Sequence, residues 1–99
     1  MAYQLVYHPA VLSDDLPSIP RNLHQRIARA IEQRLTTEPA HYGEPLRYHL
    51  KGFWKLRVGD YRVVYKMVGY EVWIYRIDHR GVVYSLPPRR LVWKPSRLQ

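Results

Sequence analysis

The chain has 99 residues, of which 46% are hydrophobic and 24% charged, a composition that fits one folded domain and excludes an intrinsically disordered segment. It contains no cysteine, which excludes disulfides and thiol chemistry, and no apolar run approaches the roughly 18 residues of a membrane span. Its formal charge of +8 is uneven, because residues 47–99 hold twelve basic and three acidic side chains, and this one-sided field implies a polyanionic partner, either nucleic acid or an acidic protein segment.

The N-terminal part predicts one strand followed by two helices. Residues 3–7 form a β-type run, and Pro9 suits the first turn of a short helix that extends to about Leu16. Ser18 is a candidate N-cap for a second helix, which ends near Thr37. The apolar residues of this second helix recur every four positions, which is typical of a helix with one buried face: Leu23, Ile27, Ile31 and Leu35.

A β-hairpin is predicted over residues 50–66, with its turn at Gly59-Asp60. A two-residue loop that begins with glycine suits the II′ geometry and places Arg57 opposite Arg62. Because side chains alternate along a strand, the hairpin has an apolar face and a basic face. The apolar face holds Trp54, Leu56, Val58, Tyr61, Val63 and Tyr65, and the basic face holds Lys55, Arg57, Arg62 and Lys66.

The remaining chain predicts a loop over residues 38–49, a strand over 71–78 and a short last strand over 82–84. Extending the hairpin register places Trp73, Tyr75 and Ile77 on the basic face. We expect a single α+β domain over residues 1–99, with two N-terminal helices packed on one face of a small, mostly antiparallel sheet, in the order β-α-α-β-β-β-β. A basic C-terminal tail begins at about residue 87.

The opposed pair of Arg57 and Arg62 allows two interpretations. Directly opposed side chains on paired strands lie about 4.5–5.5 Å apart, where like charges repel. Either the two side chains turn apart into water, or an anion such as a phosphate bridges them through charge-assisted hydrogen bonds.

Other kinds of site find little support. The five histidines lack paired metal-ligand spacing, no glycine-rich phosphate loop is present, and no serine lies in a nucleophile motif, so we expect no metal and no cofactor. Trp73, Tyr75 and Phe53 fit a second small core better than a ligand platform. Residues 91–93 or a partner would cover that core.

Four segments together resemble the RelE/ParE toxin superfamily of type II toxin–antitoxin systems. They are Leu50-Lys51-Gly52, the run WKLRVGDYRVVY over 54–65, Ile77-Asp78-His79-Arg80, and Val83-Tyr84. The resemblance covers about residues 3–84 and implies the RelE-like microbial RNase fold. Its RelE-like branch implies a metal-independent messenger-RNA endoribonuclease that acts on the ribosome, where an RNA 2′-OH attacks the adjacent phosphate.

The resemblance also implies the site residues. Lys55 and Arg57 match the paired basic positions before the turn, Arg62 the arginine after it, Arg80 a loop arginine and Tyr84 the aromatic that follows. The arginines would neutralise the developing phosphorane charge, and Tyr84 would stack on a base. Lys55 could act as the base because neighbouring positive charges favour its neutral form, with His79 as an alternative acid or base or merely as a cap of its loop. Further RNA contacts are expected from Lys51, Lys66, Arg47 and His79.

The absence of cysteines and of any membrane-length apolar run predicts a cytoplasmic protein without a membrane partner, which we expect to be monomeric alone. The resemblance implies that a cognate antitoxin neutralises it in a higher-order complex. We expect an acidic, amphipathic antitoxin segment to lie near Trp73 and over Arg57 and Arg62, unless the toxin's own residues 91–93 cover that strip. One alternative function is a ParE-like toxin that inhibits DNA gyrase without nuclease chemistry. Another is a non-toxic module whose basic groove binds an acidic protein segment.

Overall fold

The structure is a computed structural model that describes residues 2–95, and these residues contain a five-stranded sheet. Its strands are β1 (Gln4–Tyr7), β2 (Glu44–Pro45), β3 (Trp54–Val58), β4 (Tyr61–Val68) and β5 (Glu71–His79). They lie in the order β1-β5-β4-β3-β2, with β1 parallel to β5 and every other neighbouring pair antiparallel. The predicted α+β class with a mostly antiparallel sheet is confirmed.

Two N-terminal helices cover one face of the sheet. Helix α1 consists of a wide π-helical segment, Val11–Asp15, continued by Leu16–Ser18, and helix α2 consists of Arg21–Ala30 continued by Ile31–Leu35. The predicted apolar stripe of α2 is buried against the sheet, most completely at Ile27, Ile31 and Leu35. The prediction that Ser18 caps α2 is wrong, because its hydroxyl donates to the Asp14 carbonyl within α1 and Pro20 occupies the N-cap.

The hairpin forms with the predicted register. Val58 lies opposite Tyr61 and Arg57 opposite Arg62, and the ladder continues to Trp54 opposite Tyr65. Gly59 has φ of +60°, which the first position of a II′ turn requires and which glycine adopts without a steric penalty. The apolar face of the hairpin therefore packs on the helices, as expected.

The predicted register of β5 holds only over the first part of the strand. Ile74 lies opposite Tyr65, and Arg76 lies opposite Val64, which precedes Tyr65 in β4, so Tyr75 is an extra residue in a β-bulge. One extra residue exchanges the two faces of everything that follows it. The prediction that Ile77 lies on the basic face is therefore wrong: its side chain is 1% exposed in the helix-side core, and Arg76 takes the basic side instead.

A second apolar cluster lies on the sheet face opposite α1 and α2, which confirms the predicted small core. It contains Leu50, Phe53, Val64, Trp73, Tyr75, Val83 and Leu86. The Tyr75 hydroxyl donates to the Trp93 carbonyl at 2.7 Å, and burial raises the pKa of Tyr75 to about 12. The expectation of an exposed aromatic strip for the antitoxin is wrong, because Trp73 is only 8% exposed beneath the chain's own C-terminal segment.

The predicted last strand over residues 82–84 is also wrong. The N–H groups of Val82 and Val83 both donate to the His79 carbonyl at 3.0 Å, so the chain coils into successive turns after β5. These turns point the Val83 side chain into the second cluster, where it is fully buried. A short helix α4 (Pro88–Leu91) follows, and residues 96–99 of the predicted tail lie outside the described residues.

Residues 38–49, predicted as a loop, contain more regular structure than their sequence indicates. They include helix α3 (Pro39–Tyr42), strand β2 and the start of a 3₁₀ turn, Tyr48–Leu50. The buried Tyr65 hydroxyl donates to the Pro39 carbonyl at 2.6 Å and anchors this segment to the sheet. A Cβ at Gly43 would lie 1.7 Å from that hydroxyl oxygen, so only glycine fits there.

A buried ion pair joins α1, α4 and the bulge. The Asp15 carboxylate is 7% exposed, accepts the main-chain N–H of Ile77 at 3.0 Å, and accepts Nη1 of Arg90 at 2.8 and 3.0 Å. His8, beside this pair, has its pKa lowered by burial and by the Arg90 charge. No helix within residues 2–95 is both long enough and apolar enough to cross a membrane.

We predict that Asp15→Ala lowers the free energy of unfolding by about 3–5 kcal/mol, because it leaves a buried guanidinium and a main-chain N–H without their partner. Asp14 is exposed on the same helix, so Asp14→Ala is the matched control and should change stability by less than about 0.5 kcal/mol. Chemical denaturation followed by tryptophan fluorescence measures both variants. Equal stability of the two variants would show that the pair does not anchor the C-terminal segment.

Candidate functional site

The sheet face opposite α1 and α2 carries two rows of polar side chains. One row crosses three strands from Arg57 through Arg62 to Asp78, and the other runs from Lys55 past Val64 to Arg76. This surface contains the predicted basic face of the hairpin, and from here on the name covers Lys55, Arg57, Arg62, Arg76, Asp78 and Tyr84. The hairpin residues reach it through strand alternation, whereas Arg76 and Asp78 reach it only because of the bulge.

Arg57 and Arg62 lie opposite each other as predicted, and their side chains make different contacts. Nη1 of Arg62 donates to the Gly59 and Tyr61 carbonyls, both at 2.9 Å, so this guanidinium is held at the hairpin turn. The Arg57 side chain is exposed and lines a groove beside α2. The two guanidinium groups therefore have different surroundings, the hairpin carbonyls for Arg62 and the groove for Arg57.

Lys55 and Tyr84 are brought together, although they are distant in sequence. Nζ of Lys55 lies 5.9 Å from the centroid of the Tyr84 ring and 3.6 Å from a carboxylate oxygen of Glu44. Glu44 belongs to β2 and pairs with Lys55 in the ladder, a contact that the predicted loop over residues 38–49 does not include. The ammonium thus has an aromatic ring and a carboxylate beside it, one from each flanking segment.

Arg76 is the main residue of the basic face that the sequence analysis missed. Its Nη2 donates to the Asp78 carboxylate at 2.9 Å and its Nη1 to the Ser85 carbonyl at 2.6 Å, with the side chain 16% exposed. Ser85 directly follows Tyr84, so Arg76 fixes the main chain that carries this ring. The available signal was the three-residue spacing of Ile74 and Ile77, which a regular strand cannot bury on one face.

Arg80 and His79 lie at the hairpin-turn end of the basic face. The Arg80 N–H donates to the Asp60 carbonyl at 2.9 Å, which ties the loop after β5 to the turn that also holds Arg62. Nδ1 of His79 accepts the N–H of Gly81 at 3.2 Å, so this ring caps its own loop. This hydrogen bond agrees with the interpretation of His79 as a cap of its loop, and the His79 side chain is exposed.

The other predicted RNA contacts are distributed along the sheet and do not gather at one point. Lys66 lies over the second cluster, with Nζ 4.7 Å from the centroid of the Phe53 ring. Arg47 and Lys51 are exposed on either side of the 3₁₀ turn, next to the start of β3. The Gly59-Asp60 turn is at the other end of β3, which spans roughly 13 Å. Arg47 and Lys51 therefore lie at the end of the sheet away from that turn.

The arrangement is suited to holding a phosphate chain. Cationic side chains of β3 and β4 share a face, with one aromatic ring beside them, which is a combination that binds single-stranded RNA. Among residues 2–95 no cluster of three histidine, aspartate or glutamate side chains has the geometry to hold a metal ion.

Comparison with known proteins gives a consistent result. The family model described as "ParE toxin of type II toxin-antitoxin system, parDE" matches residues 5–84. Toxin RelE of Mycobacterium tuberculosis is 33% identical over 89 residues, which cover 85% of this chain and 92% of that protein. Toxin RelG of the same organism is 33% identical over 72 residues, which cover 71% of this chain and 83% of that protein.

Similarity to solved structures agrees with these relationships. The crystal structure of the toxin–antitoxin complex RelBE2 from Mycobacterium tuberculosis contains a chain that superposes with a TM-score of 0.75 at 29% identity. The alignment covers 82% of this chain and 94% of that chain. Fold and sequence point the same way: this chain belongs to the RelE/ParE superfamily and is a toxin of a type II toxin–antitoxin system.

Proposed function

We propose that this toxin is a messenger-RNA endoribonuclease that cleaves translated message by attack of an RNA 2′-OH on the adjacent phosphate. The observation that carries the proposal is the joint placement of Lys55 beside Tyr84 and of Arg57 opposite Arg62 on one open sheet face. All four positions are those that the RelE resemblance marks. Their proximity depends on tertiary structure, since Tyr84 reaches the face through the turns after β5.

The chemistry requires charge neutralisation, proton transfer and a fixed nucleotide. Arg57, Arg62 and Arg80 supply donors for the negative charge that develops on the phosphorane. After RNA displaces the Glu44 carboxylate, Lys55 acts in its neutral amine form and accepts the proton of the attacking 2′-OH. The P–O5′ bond then breaks, the leaving 5′-oxygen takes a proton from water, and a base stacks on Tyr84. The hydrogen bonds of Arg62 to the hairpin carbonyls hold its guanidinium in place, which lowers the cost of ordering it around a phosphate.

A cognate antitoxin and messenger RNA on the ribosome are the partners of this function, which places it in the cytoplasm. Support for the antitoxin comes from a relative whose structure was solved as the RelBE2 toxin–antitoxin complex. The excess of basic over acidic side chains supports an RNA target, since phosphate contacts supply most of the affinity for nucleic acid.

A second candidate is inhibition of DNA gyrase without nuclease chemistry. The observation in its favour is that the matching family model is described as a ParE toxin. In this case the basic face would bind protein, and the proximity of Lys55 to Tyr84 would have no catalytic role.

The two candidates predict different damage in the cell. We expect induction of the toxin alone to produce new messenger-RNA 5′ ends inside codons, because the enzyme acts on translated message. Arg62→Ala should lower the cleavage rate by about 10²–10³, the usual cost of one charge-stabilising donor. Arg21→Ala, an exposed arginine on α2 away from the basic face, should cleave like the wild type. Intact messages together with gyrase-linked DNA breaks would instead identify the second candidate.

We also predict that Arg76→Gln lowers cleavage by about 10²-fold, because small displacements of a positioning group can cost that much. Arg76 does not act on RNA in this proposal, since Asp78 and the Ser85 carbonyl already occupy its guanidinium. The fall should therefore appear in kcat with little change in KM. Arg89→Gln, an exposed change on α4, is the control for lost charge. A folded Arg76→Gln toxin with normal kcat would show that Tyr84 needs no such anchor.

A further inference from the structure

A groove lies outside the basic face, between helix α2 and the end of strand β3. It has a volume of about 710 Å³ and is lined mainly by polar side chains of α2. The cationic lining residues are Arg26, Arg29, Arg34 and Arg57. The Arg26 guanidinium lies over the Gly59 backbone, with Nη1 3.3 Å from the position of an added Cβ, so the groove continues to the hairpin turn.

These four arginines are exposed side chains that share one concavity. Lys55, Arg76 and Arg90 each have a carboxylate partner, whereas within residues 2–95 none of the groove arginines is in an ion pair. Arg34 has only an aromatic neighbour, with its guanidinium carbon 5.9 Å from the centroid of the Tyr42 ring. Four like charges in one concavity repel one another and attract an anionic ligand with several charges.

The main chain of β3 shows what kind of ligand fits. Residues of a strand in an antiparallel ladder alternately face one neighbour and the other, and the two-residue turn directs Val58 toward β4. Phe53, Lys55 and Arg57 therefore face outward. The Phe53 carbonyl accepts from Leu46, and Lys55 pairs with Glu44, but within the described residues no strand lies beside Arg57.

We propose that this groove binds an extended, acidic segment of a partner protein, which adds a strand beside Arg57 and places its carboxylates on Arg26, Arg29 and Arg34. An open strand edge offers both a donor and an acceptor, which another peptide strand matches. The phosphates of RNA offer acceptors only, and the groove lining contains no aromatic ring for base stacking.

The proposal has a consequence for the antitoxin, and in this respect it rests on the proposed function. Arg57 belongs both to the groove and to the basic face. A strand docked beside it would hold its side chain away from Arg62 and so compete with RNA. The groove thus replaces the covered Trp73 strip as the place where an acidic segment neutralises the toxin.

Peptides of matched charge test the proposal on the full-length toxin. The probe is a fluorescein-labelled, acetylated and amidated (Glu-Val)₄ peptide, and (Glu-Pro)₄ is its control, with the same charge but half of its N–H donors removed. We expect anisotropy titrations to show (Glu-Val)₄ binding at least tenfold more tightly, and hydrogen exchange to show protection of the Arg57 amide. The double change Arg26→Ala and Arg29→Ala should weaken binding at least tenfold, whereas Arg21→Ala, outside the groove, should not.

Three results would overturn the proposal. They are equal affinity for the two peptides, no measurable (Glu-Val)₄ binding at low salt, and a ten-nucleotide RNA that binds tightly, protects the Arg57 amide and depends on Arg26 and Arg29. Because none of these measurements involves RNA cleavage, they separate this proposal from the proposed function. A toxin that binds the peptide but never cuts message would retain the docking site and lose the nuclease assignment.

Discussion

The Asp15 carboxylate, which accepts the N–H of Ile77 two residues after the β-bulge, is the contact on which the rest of this structure depends. Ile77 lies beyond the end of β1, so its N–H has no ladder partner on that side, and a buried unpaired N–H costs about 1–3 kcal/mol. Asp15 removes that cost, and Arg90 neutralises the carboxylate while placing α4 and Trp93 over Tyr75. One buried charge pair thus connects the first helix, the long strand β5 and the C-terminal segment.

The bulge also determines the composition of the two sheet faces. It returns Ile77 to the core beneath the helices and directs Arg76 and Asp78 to the basic face, where a regular strand would do the reverse. Arg76 then reaches the Ser85 carbonyl and fixes the turn that carries Tyr84 beside Lys55. In this molecule the packing of the core and the assembly of the candidate site depend on the same irregularity.

Local signals were enough to predict the hairpin, whereas long-range contacts decided the rest. The Gly59-Asp60 turn fixes the register of β3 and β4, and with it the opposition of Arg57 and Arg62. The bulge left only a weak local signal, the three-residue spacing of Ile74 and Ile77, and the bond from Ile77 to Asp15 spans 62 residues of sequence, which no local pattern predicts. The proline-rich stretch that contains β2 gains its order from the Tyr65 hydroxyl, which no local pattern reveals.

A single 2′-deoxy substitution tests most directly whether the basic face cleaves RNA with the RNA's own hydroxyl. The substrate is a defined messenger RNA on translating ribosomes, with the substitution at the nucleotide whose 2′-OH would attack a mapped cut site. We predict that purified toxin cuts the unmodified message to leave a 2′,3′-cyclic phosphate and a 5′-OH, and that the substitution abolishes this cut alone. Cleavage that persists at the 2′-deoxy nucleotide, or an unmodified message that stays intact with excess toxin, would contradict the assignment.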